Sequence, residues 1–104
     1  MNIPNNHIVD IRRPSEWMEF GILEGSKLIT FENLNGKVNP MFLPLIEQNF
    51  KKDDEIVLMC HTALRSKAAM KFLQEKGYSN VKDIKGGAYY FEKMGAKFMP
   101  YSGE

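Results

Sequence analysis

The sequence predicts an α/β fold in which parallel strands form a central sheet and helices cover both of its faces. Strand-like and helix-like segments alternate along the 104 residues, and parallel strands joined by crossover helices produce that order. The strongest strand signal, over residues 55–59, is a continuous apolar run after Glu55, as expected for a strand buried on both faces. No repeat or long linker divides the chain, so we predict one domain over residues 1–104.

The first half of the chain predicts two strands and two helices. Residues 7–11 indicate a short buried strand. Pro14 suits the first turn of a helix, because its missing N–H needs no partner there, and this helix should end near Gly21. Residues 27–31 predict the second strand. Residues 41–50 predict the second helix, because their apolar side chains recur at helical spacing.

The second half begins with the buried strand over residues 55–59 and continues with the clearest amphipathic helix, over residues 65–76. The inward stripe of this helix should consist of Ala69, Phe72 and Leu73. Gly77 should end the helix, since glycine is the preferred residue just beyond a helix. Its other face carries lysine, glutamine and glutamate, which we expect to contact water.

A fourth strand and a last helix complete the predicted fold. Residues 80–84 predict the strand, and Gly86 and Gly87 then open a helix that runs to about Met94. Its expected apolar anchors are Tyr90, Phe91 and Met94. Because sites in parallel sheets form at the carboxyl ends of strands, we expect the loops after the first, third and fourth strands to converge.

Composition and charge exclude several classes of protein. The chain has 43 % hydrophobic and 26 % charged residues and a net charge of +1, which is ordinary for a globular domain and indicates no nucleic-acid or membrane partner. No apolar run reaches the roughly 18 residues of a membrane span. Residues 1–6 lack the pattern of a signal peptide, and one cysteine cannot form an internal disulfide. We therefore expect a cytoplasmic protein.

Cys60, the only cysteine, lies between the end of a predicted strand and the start of a predicted helix. It follows the apolar run of the third strand and precedes a short loop, after which Arg65 and Ser66 begin a helix. Backbone N–H groups and the dipole at a helix start favour negative charge, so this position favours a reactive thiolate. A lone cysteine is more often a small buried hydrophobe, but the place between strand end and helix start favours the nucleophile.

The loop between Cys60 and Arg65 contains four residues. If it curls, its amides form a cradle for an anion around the sulfur, to which Ser66 adds a hydroxyl donor. Arg65 is then either a charge on the rim or a brace that holds the loop. Such a sulfur can attack a sulfane sulfur and leave a persulfide that the amides stabilise.

The segment Cys60-His61-Thr62-Ala63-Leu64-Arg65-Ser66 resembles the active-site loop of rhodanese-like sulfurtransferases. Four further segments agree with that family in order and spacing: residues 9–12 with Glu16 and Trp17, residues 21–26, residues 77–81 and residues 86–88. The resemblance runs from about residue 7 to residue 95. It implies a rhodanese-like α/β fold and Cys60 as the sulfur carrier, with residues 61–66 as the persulfide-binding loop.

The chain departs from the family pattern at several positions. Ile22, Ala63 and Phe91 stand where the family usually has histidine, glycine and tryptophan. Only about eight residues precede the segment of Asp10 and Arg12, where most members have a further strand and helix. We therefore expect a reduced sheet of four or five strands with one less protected edge, which favours dimerisation, and we predict a monomer or a weak homodimer.

The residues and the resemblance together predict a sulfurtransferase that carries sulfane sulfur as a persulfide on Cys60. A small donor such as thiosulfate or a persulfide would load it, and a thiol or cyanide would accept the sulfur. The same site would serve a persulfide relay to an acceptor protein. Two scattered histidines and one cysteine make a poor metal set, so we predict neither metal nor cofactor.

Two other functions share parts of this pattern. Phosphatases and arsenate reductases of the cysteine–arginine type have five residues between the two side chains, whereas four separate Cys60 from Arg65, and the shorter loop suits one sulfur atom better than a tetrahedral oxyanion. A second cysteine to resolve an oxidised intermediate is also missing. A non-catalytic binding module is the third hypothesis. Inactive family members commonly lack the cysteine, so its presence counts against this hypothesis.

Four supporting residues lie in the loops expected at the same sheet edge: Asp10, Arg12, Gly86 and Gly87. Asp10 is more simply a residue that fixes the loops by hydrogen bonds than a catalytic carboxylate, and we expect Arg12 to pair with Glu16. His61 should face solvent and affect specificity rather than act as an acid or base, because adjacent side chains in a curled loop diverge.

Overall fold

The computed structural model describes residues 3–61 and 64–103. Strands and helices alternate in this part of the chain, as predicted, after a short 3-10 turn at Asn5–His7. The elements are β1 (Ile8–Asp10), α1 (Pro14–Phe20), β2 (Lys27–Leu28), α2 (Phe42–Asn49), β3 (Ile56–Met59), α3 (Leu64–Glu75), β4 (Val81–Asp83) and α4 (Gly87–Lys93). The predicted α/β class and the order of its elements are confirmed.

The four strands form one parallel sheet in the order β2-β1-β3-β4, within the predicted four or five. The two central strands align Ile8 with Val57 and Asp10 with Met59. The chain leaves β1 toward one edge of the sheet and leaves β3 toward the other. Connections that diverge in this way open a crevice at the carboxyl ends of the two central strands, where α/β proteins bind ligands.

Alternate residues of the central strands contribute to two separate cores. Leu58 and Cys60 belong to a cluster with α2 and α3, in which Phe42, Ile46, Ala69 and Leu73 are buried. Val57 and Met59 belong to a second cluster with Ala88 and Phe91 of α4. Because side chains alternate along a strand, the apolar run of β3 is buried on both faces, as its sequence predicts.

All four predicted strands are longer than the observed ones, by one residue for β3, two residues for β1 and β4 and three residues for β2. His7 lies in the 3-10 turn rather than in β1, and β2 contains only Lys27 and Leu28. The N–H groups of Ile29 and Phe31 nevertheless donate to carbonyls of Asp10 and Ile11, at 3.0 and 3.2 Å. Irregular pairing therefore continues along the stretch that the sequence marks as strand.

The predicted apolar face of the last helix is partly wrong. Tyr90 and Met94 are 47 % and 65 % exposed, whereas Ala88 and Phe91 are buried against the sheet. The helix begins only at Gly87 and has seven residues. In so short a helix Ala88 and Phe91, three residues apart, are enough to cover the sheet. Among residues 3–61 and 64–103, no helix is long and apolar enough to cross a membrane.

Candidate active site

Cys60 lies where the ends of three elements meet. It follows β3 directly and is 1 % exposed. The N–H of Ile11, just after β1, donates to Met59 O at 2.9 Å, and the N–H of Ala88 in α4 donates to Cys60 O at 2.6 Å. The loops after β1, β3 and β4 therefore converge around the cysteine, as the sequence predicts.

Gly87 allows the start of α4 to approach the backbone of the cysteine loop, which is the stretch from Cys60 to Arg65. A Cβ at Gly87 would lie 2.6 Å from Cys60 O and 2.5 Å from His61 O, closer than real Cβ contacts. Its φ of +71° also falls in the left-handed region, which glycine adopts at little cost. Gly86 caps the same helix with a φ of +80°. Gly87 thus lies against the backbone of Cys60 and His61, whereas a supporting role of Gly86 in the site stays a prediction.

Arg65 braces the loop against α1. Its guanidinium donates two hydrogen bonds of 2.7 Å to Glu16, one to each carboxylate oxygen. The backbone N–H of Arg13 donates to Glu16 Oε1 at 3.0 Å, which fixes the carboxylate at the start of the helix. Of the two roles considered for Arg65, the structure therefore supports the brace. Two parallel hydrogen bonds of this kind restrict the orientation of the guanidinium as well as its position.

Arg12 pairs with Asp10 and not with Glu16, so the predicted partner is wrong. Both side chains are fully buried. Arg12 Nε and Nη2 donate to the two Asp10 oxygens at 2.9 and 2.7 Å, and Nη2 also donates to Gly21 O at 2.8 Å. Residues two apart in extended chain point to the same face, which brings these two side chains together. Asp10 thus fixes the loop at Gly21 through Arg12.

The Arg65–Glu16 contact changes the pKa of both groups. Burial acts to raise the pKa of Glu16, but the hydrogen bonds from Arg65 and from the Arg13 backbone together lower it below the usual 4.5. The pKa of Arg65 is raised, first by the Glu16 hydrogen bond and, to a smaller extent, by negative charge on Cys60. The pair is therefore ionised at neutral pH.

Replacing Glu16 with glutamine should destabilise the fold by about 1–2 kcal/mol at neutral pH, because hydrogen bonds to a charged group contribute roughly 1.5–3 kcal/mol and solvent screens a partly exposed pair. Since folding lowers the Glu16 pKa, the stabilisation is present above pH 4.5 and is lost as the pH falls through the folded-state value. Urea unfolding across this range measures the difference between variant and wild type. Glu19→Gln, an exposed change on the same helix, is the control. A difference that persists at strongly acidic pH would contradict the brace.

His61 packs between two aromatic rings and is only partly exposed, a contact that the predicted solvent-facing side chain did not include. Its ring stacks on that of Phe20, with centroids 4.9 Å apart, and lies 6.2 Å from the ring of Tyr89. The side chain is half-buried. Phe20 lies one helical turn beyond Glu16, so one face of α1 supports both His61 and Arg65. A role of His61 in specificity stays a prediction.

The middle of the loop, Thr62 and Ala63, lies outside the described residues, so the predicted amide cradle stays a prediction. Leu64 begins α3 and is 78 % exposed. Ser66 is buried, and its hydroxyl donates to Asp83 Oδ2 at 3.2 Å. Donation from Ser66 to the sulfur stays a prediction. Within the described ranges, no group of three His, Cys, Asp or Glu side chains could hold a metal ion.

Sequence reasoning missed three residues that contact the loop: Glu16 as partner of Arg65, Phe20 as partner of His61, and Asp83 as partner of Ser66. A signal existed for the first two, because positions 16 and 20 share one face of a predicted helix. Asp83 ends β4 at the same sheet edge, which is also where the rule for parallel sheets places functional groups.

This fold and this site define an α/β domain with a single cysteine at the carboxyl edge of a parallel sheet. The chain belongs to the rhodanese-like domain family, and the family match covers residues 1–94. The solved rhodanese-like domain of the Alr3790 protein from Anabaena sp. is similar in fold, with a TM-score of 0.72 at 17 % identity over 95 % of this chain and 85 % of that one.

Two curated plant proteins are similar in sequence. Rhodanese-like domain-containing protein 9, chloroplastic, from Arabidopsis thaliana is 34 % identical over 73 residues, which are 65 % of this chain and 31 % of that protein. Thiosulfate sulfurtransferase 16, chloroplastic, from the same plant is 29 % identical over 96 residues, which are 89 % of this chain and 79 % of that protein. The chain thus spans about a third of the length of the first relative.

Proposed function

We propose that the protein is a sulfurtransferase that carries sulfane sulfur as a persulfide on Cys60. The observation that carries the proposal is the position of Cys60, where β1, β3 and α4 meet. At the other end of the same loop, Arg65 is held by two hydrogen bonds to Glu16. Membership of the rhodanese-like family and the relative named thiosulfate sulfurtransferase support it. Thiosulfate is therefore the first donor to test.

Loading would be a displacement at sulfur. The Cys60 thiolate attacks the outer sulfur of thiosulfate and forms an S–S bond, while the bond to the sulfonate sulfur breaks and sulfite leaves with the electron pair. Arg65, bonded to both carboxylate oxygens of Glu16, would hold the start of α3 in place beside the cysteine loop during this step. The near-complete burial of Cys60 would keep the persulfide out of water between loading and transfer.

Discharge would regenerate the thiolate. A thiolate or cyanide acceptor attacks the outer persulfide sulfur, the S–S bond breaks, and Cys60 leaves with the electron pair. Two easier displacements thus replace one direct transfer. A cysteine on an acceptor protein has the same chemistry, so we propose a relay to such a protein as a second use of the site.

Incubation with thiosulfate should add one sulfur atom to the intact protein, and cyanide should remove it as thiocyanate. Intact-mass spectrometry follows both steps. Cys60→Ser should abolish the mass gain completely and leave the fold intact, with a cooperative urea unfolding curve shifted by about 1–3 kcal/mol, because a hydroxyl replaces a thiol in a buried apolar cluster. No mass gain with thiosulfate or with small persulfides would overturn the proposal. Hydrolysis of an aryl phosphate without sulfur loading would favour the phosphatase alternative.

A further inference from the structure

Residues 96–101 follow α4 and lie beyond the family match, which ends at residue 94. We call these residues the strap. The N–H of Met99 donates to Ile22 O at 2.8 Å, and the N–H of Ile22 donates to Met99 O at 2.9 Å. The two bonds form an antiparallel bridge directly after Gly21, where α1 ends. The strap thus runs from α4 back to the end of α1.

Gly21 allows the strap to approach the end of α1 closely. A Cβ at Gly21 would lie 2.6 Å from Met99 O, and the φ of Gly21 is +83°, which glycine adopts at little cost. Gly21 O also accepts the 2.8 Å hydrogen bond from Arg12 Nη2. The end of α1 is therefore fixed by backbone contacts with the strap and by the buried side chain of Arg12.

Two aromatic rings of the strap cover buried side chains. The ring of Phe98 lies over the guanidinium of Arg12, with its centroid 5.7 Å from Cζ. The ring of Tyr101 packs edge-to-face against Trp17 of α1, with centroids 5.8 Å apart and planes at 82°. Such a pair contributes beyond the area that it buries. Trp17 is only 7 % exposed, so Tyr101 contacts α1 at a buried side chain.

The α1 helix connects the strap to the cysteine loop. Trp17 lies between Glu16 and Phe20 on a helix of seven residues. Glu16 bonds to Arg65 at one end of the loop, and Phe20 stacks on His61 at the other end. A helix of two turns is held together by its own hydrogen bonds and moves as one body. A displacement at Trp17 should therefore change both contacts with the loop.

We propose that the strap is a positioning element of the active site, with Tyr101 as its principal positioning residue. By holding Trp17, Tyr101 sets the position of α1, and α1 in turn sets the geometry of the cysteine loop for attack on the sulfur donor. The effect on sulfur transfer rests on the proposed function of Cys60. The coupling between strap and loop can be measured without any transfer.

Tyr101→Ala should lower the rate of sulfur loading from thiosulfate about tenfold, because a displacement of about 1 Å can cost roughly 100-fold and the loss of one ring contact should displace α1 by less. Tyr101→Phe keeps the ring and should load at the wild-type rate. Timed intact-mass measurements give the rates, under conditions in which urea unfolding shows that each variant is folded. Tyr101→Leu keeps apolar volume without the ring, and it should show the same loss if Tyr101→Ala does not fold.

A double replacement tests whether Tyr101 acts through α1. Glu16→Gln already weakens the hold on Arg65, so Tyr101→Ala should lower the loading rate by no more than about threefold in this background, since coupled residues give non-additive effects. Independent sites would give the same loss in both backgrounds. An equal loss in the two backgrounds would overturn the proposal, and so would loading of Tyr101→Ala at the wild-type rate.

Met99→Ala is the matched control within the strap. Its side chain is 42 % exposed, and the replacement keeps the backbone bridge to Ile22. This variant should load sulfur at the wild-type rate. A loss as large as that of Tyr101→Ala would assign the effect to general loosening of the strap, and the role of Tyr101 would be wrong.

Nuclear magnetic resonance follows the coupling in the unloaded protein. Trp17 is the only tryptophan, so its indole N–H resonance reports the contact with Tyr101. The Arg65 Nε–H and the His61 amide resonances report the two ends of the loop. Tyr101→Ala should shift all three resonances, whereas Met99→Ala should leave those of Arg65 and His61 in place. A shift of the Trp17 resonance alone would show a purely structural contact and would overturn the proposal.

The two levels of inference fail separately. A protein that loads sulfur, but whose loop resonances ignore Tyr101→Ala, retains the proposed function and loses the positioning role of the strap. A protein that never loads loses the proposed function, while the Arg65 and His61 resonances still decide whether the strap positions the loop.

Discussion

Replacing Asp10 with alanine should destabilise the protein by about 3–5 kcal/mol, because it leaves the guanidinium of Arg12 buried without its countercharge. Both side chains are fully buried and joined by two hydrogen bonds. Domains of this size have a total stability of roughly 5–15 kcal/mol, so the variant should be close to the limit of folding. Urea unfolding of variant and wild type at neutral pH measures the effect.

A double replacement separates the lost pair from the unpaired charge. Asp10→Val with Arg12→Met removes both charges and keeps apolar volume, which is often far less destabilising than removal of one partner. The double variant should therefore be more stable than Asp10→Ala, although Gly21 O also loses its donor. If the single variant were as stable as the double variant, the buried charge would not be the cause of the loss.

Gly87→Ala should strongly impair sulfur transfer by displacing the backbone that carries Cys60. The new Cβ would lie 2.5 Å from His61 O and 2.6 Å from Cys60 O. Both are backbone atoms, which cannot move aside as the end of a flexible side chain can. A displacement of about 1 Å can reduce a rate roughly 100-fold. We also expect about 1–3 kcal/mol of destabilisation from the left-handed backbone at this position. Sulfur loading rates and urea unfolding measure the two effects.

Gly95→Ala controls for backbone strain without the close approach. Gly95 has a φ of +109°, and a Cβ there meets no atom of the described residues within 4 Å. This variant should lose stability through strain alone and load sulfur at the wild-type rate. If Gly95→Ala slowed loading as much as Gly87→Ala does, general destabilisation would account for both results, and the steric argument for Gly87 would be wrong.

The α1 helix contributes more to the site than its length suggests. It has seven residues, yet Glu16 holds Arg65 and Phe20 stacks on His61. Both contacts come from one helix face and act on the two ends of the cysteine loop. Changes in α1 should therefore alter the geometry of the loop without any direct contact with Cys60.

Local patterns in the sequence were sufficient to predict the fold class, the order of elements and the place of Cys60. The apolar run of β3 and the helical spacing of apolar residues in α3 each span only a few residues. Both patterns can therefore be recognised in a short stretch of sequence. The anchors of α4 were harder, since Tyr90, Phe91 and Met94 are all apolar and only the sheet decides that Phe91 and Ala88 face inward. Helix periodicity does not determine which side of a short helix meets the core.

The sequence by itself determined that one cysteine stands between a buried strand and a helix start, and that the loop to Arg65 has four residues. Only the tertiary structure decided that Glu16 meets Arg65, whereas the pairing of Arg12 with Asp10 follows from their places two residues apart in extended chain. The reason is physical. The position of Cys60 follows from neighbours along the chain, whereas the partner of Arg65 is 49 residues away and depends on how α1 and α3 pack around the sheet edge.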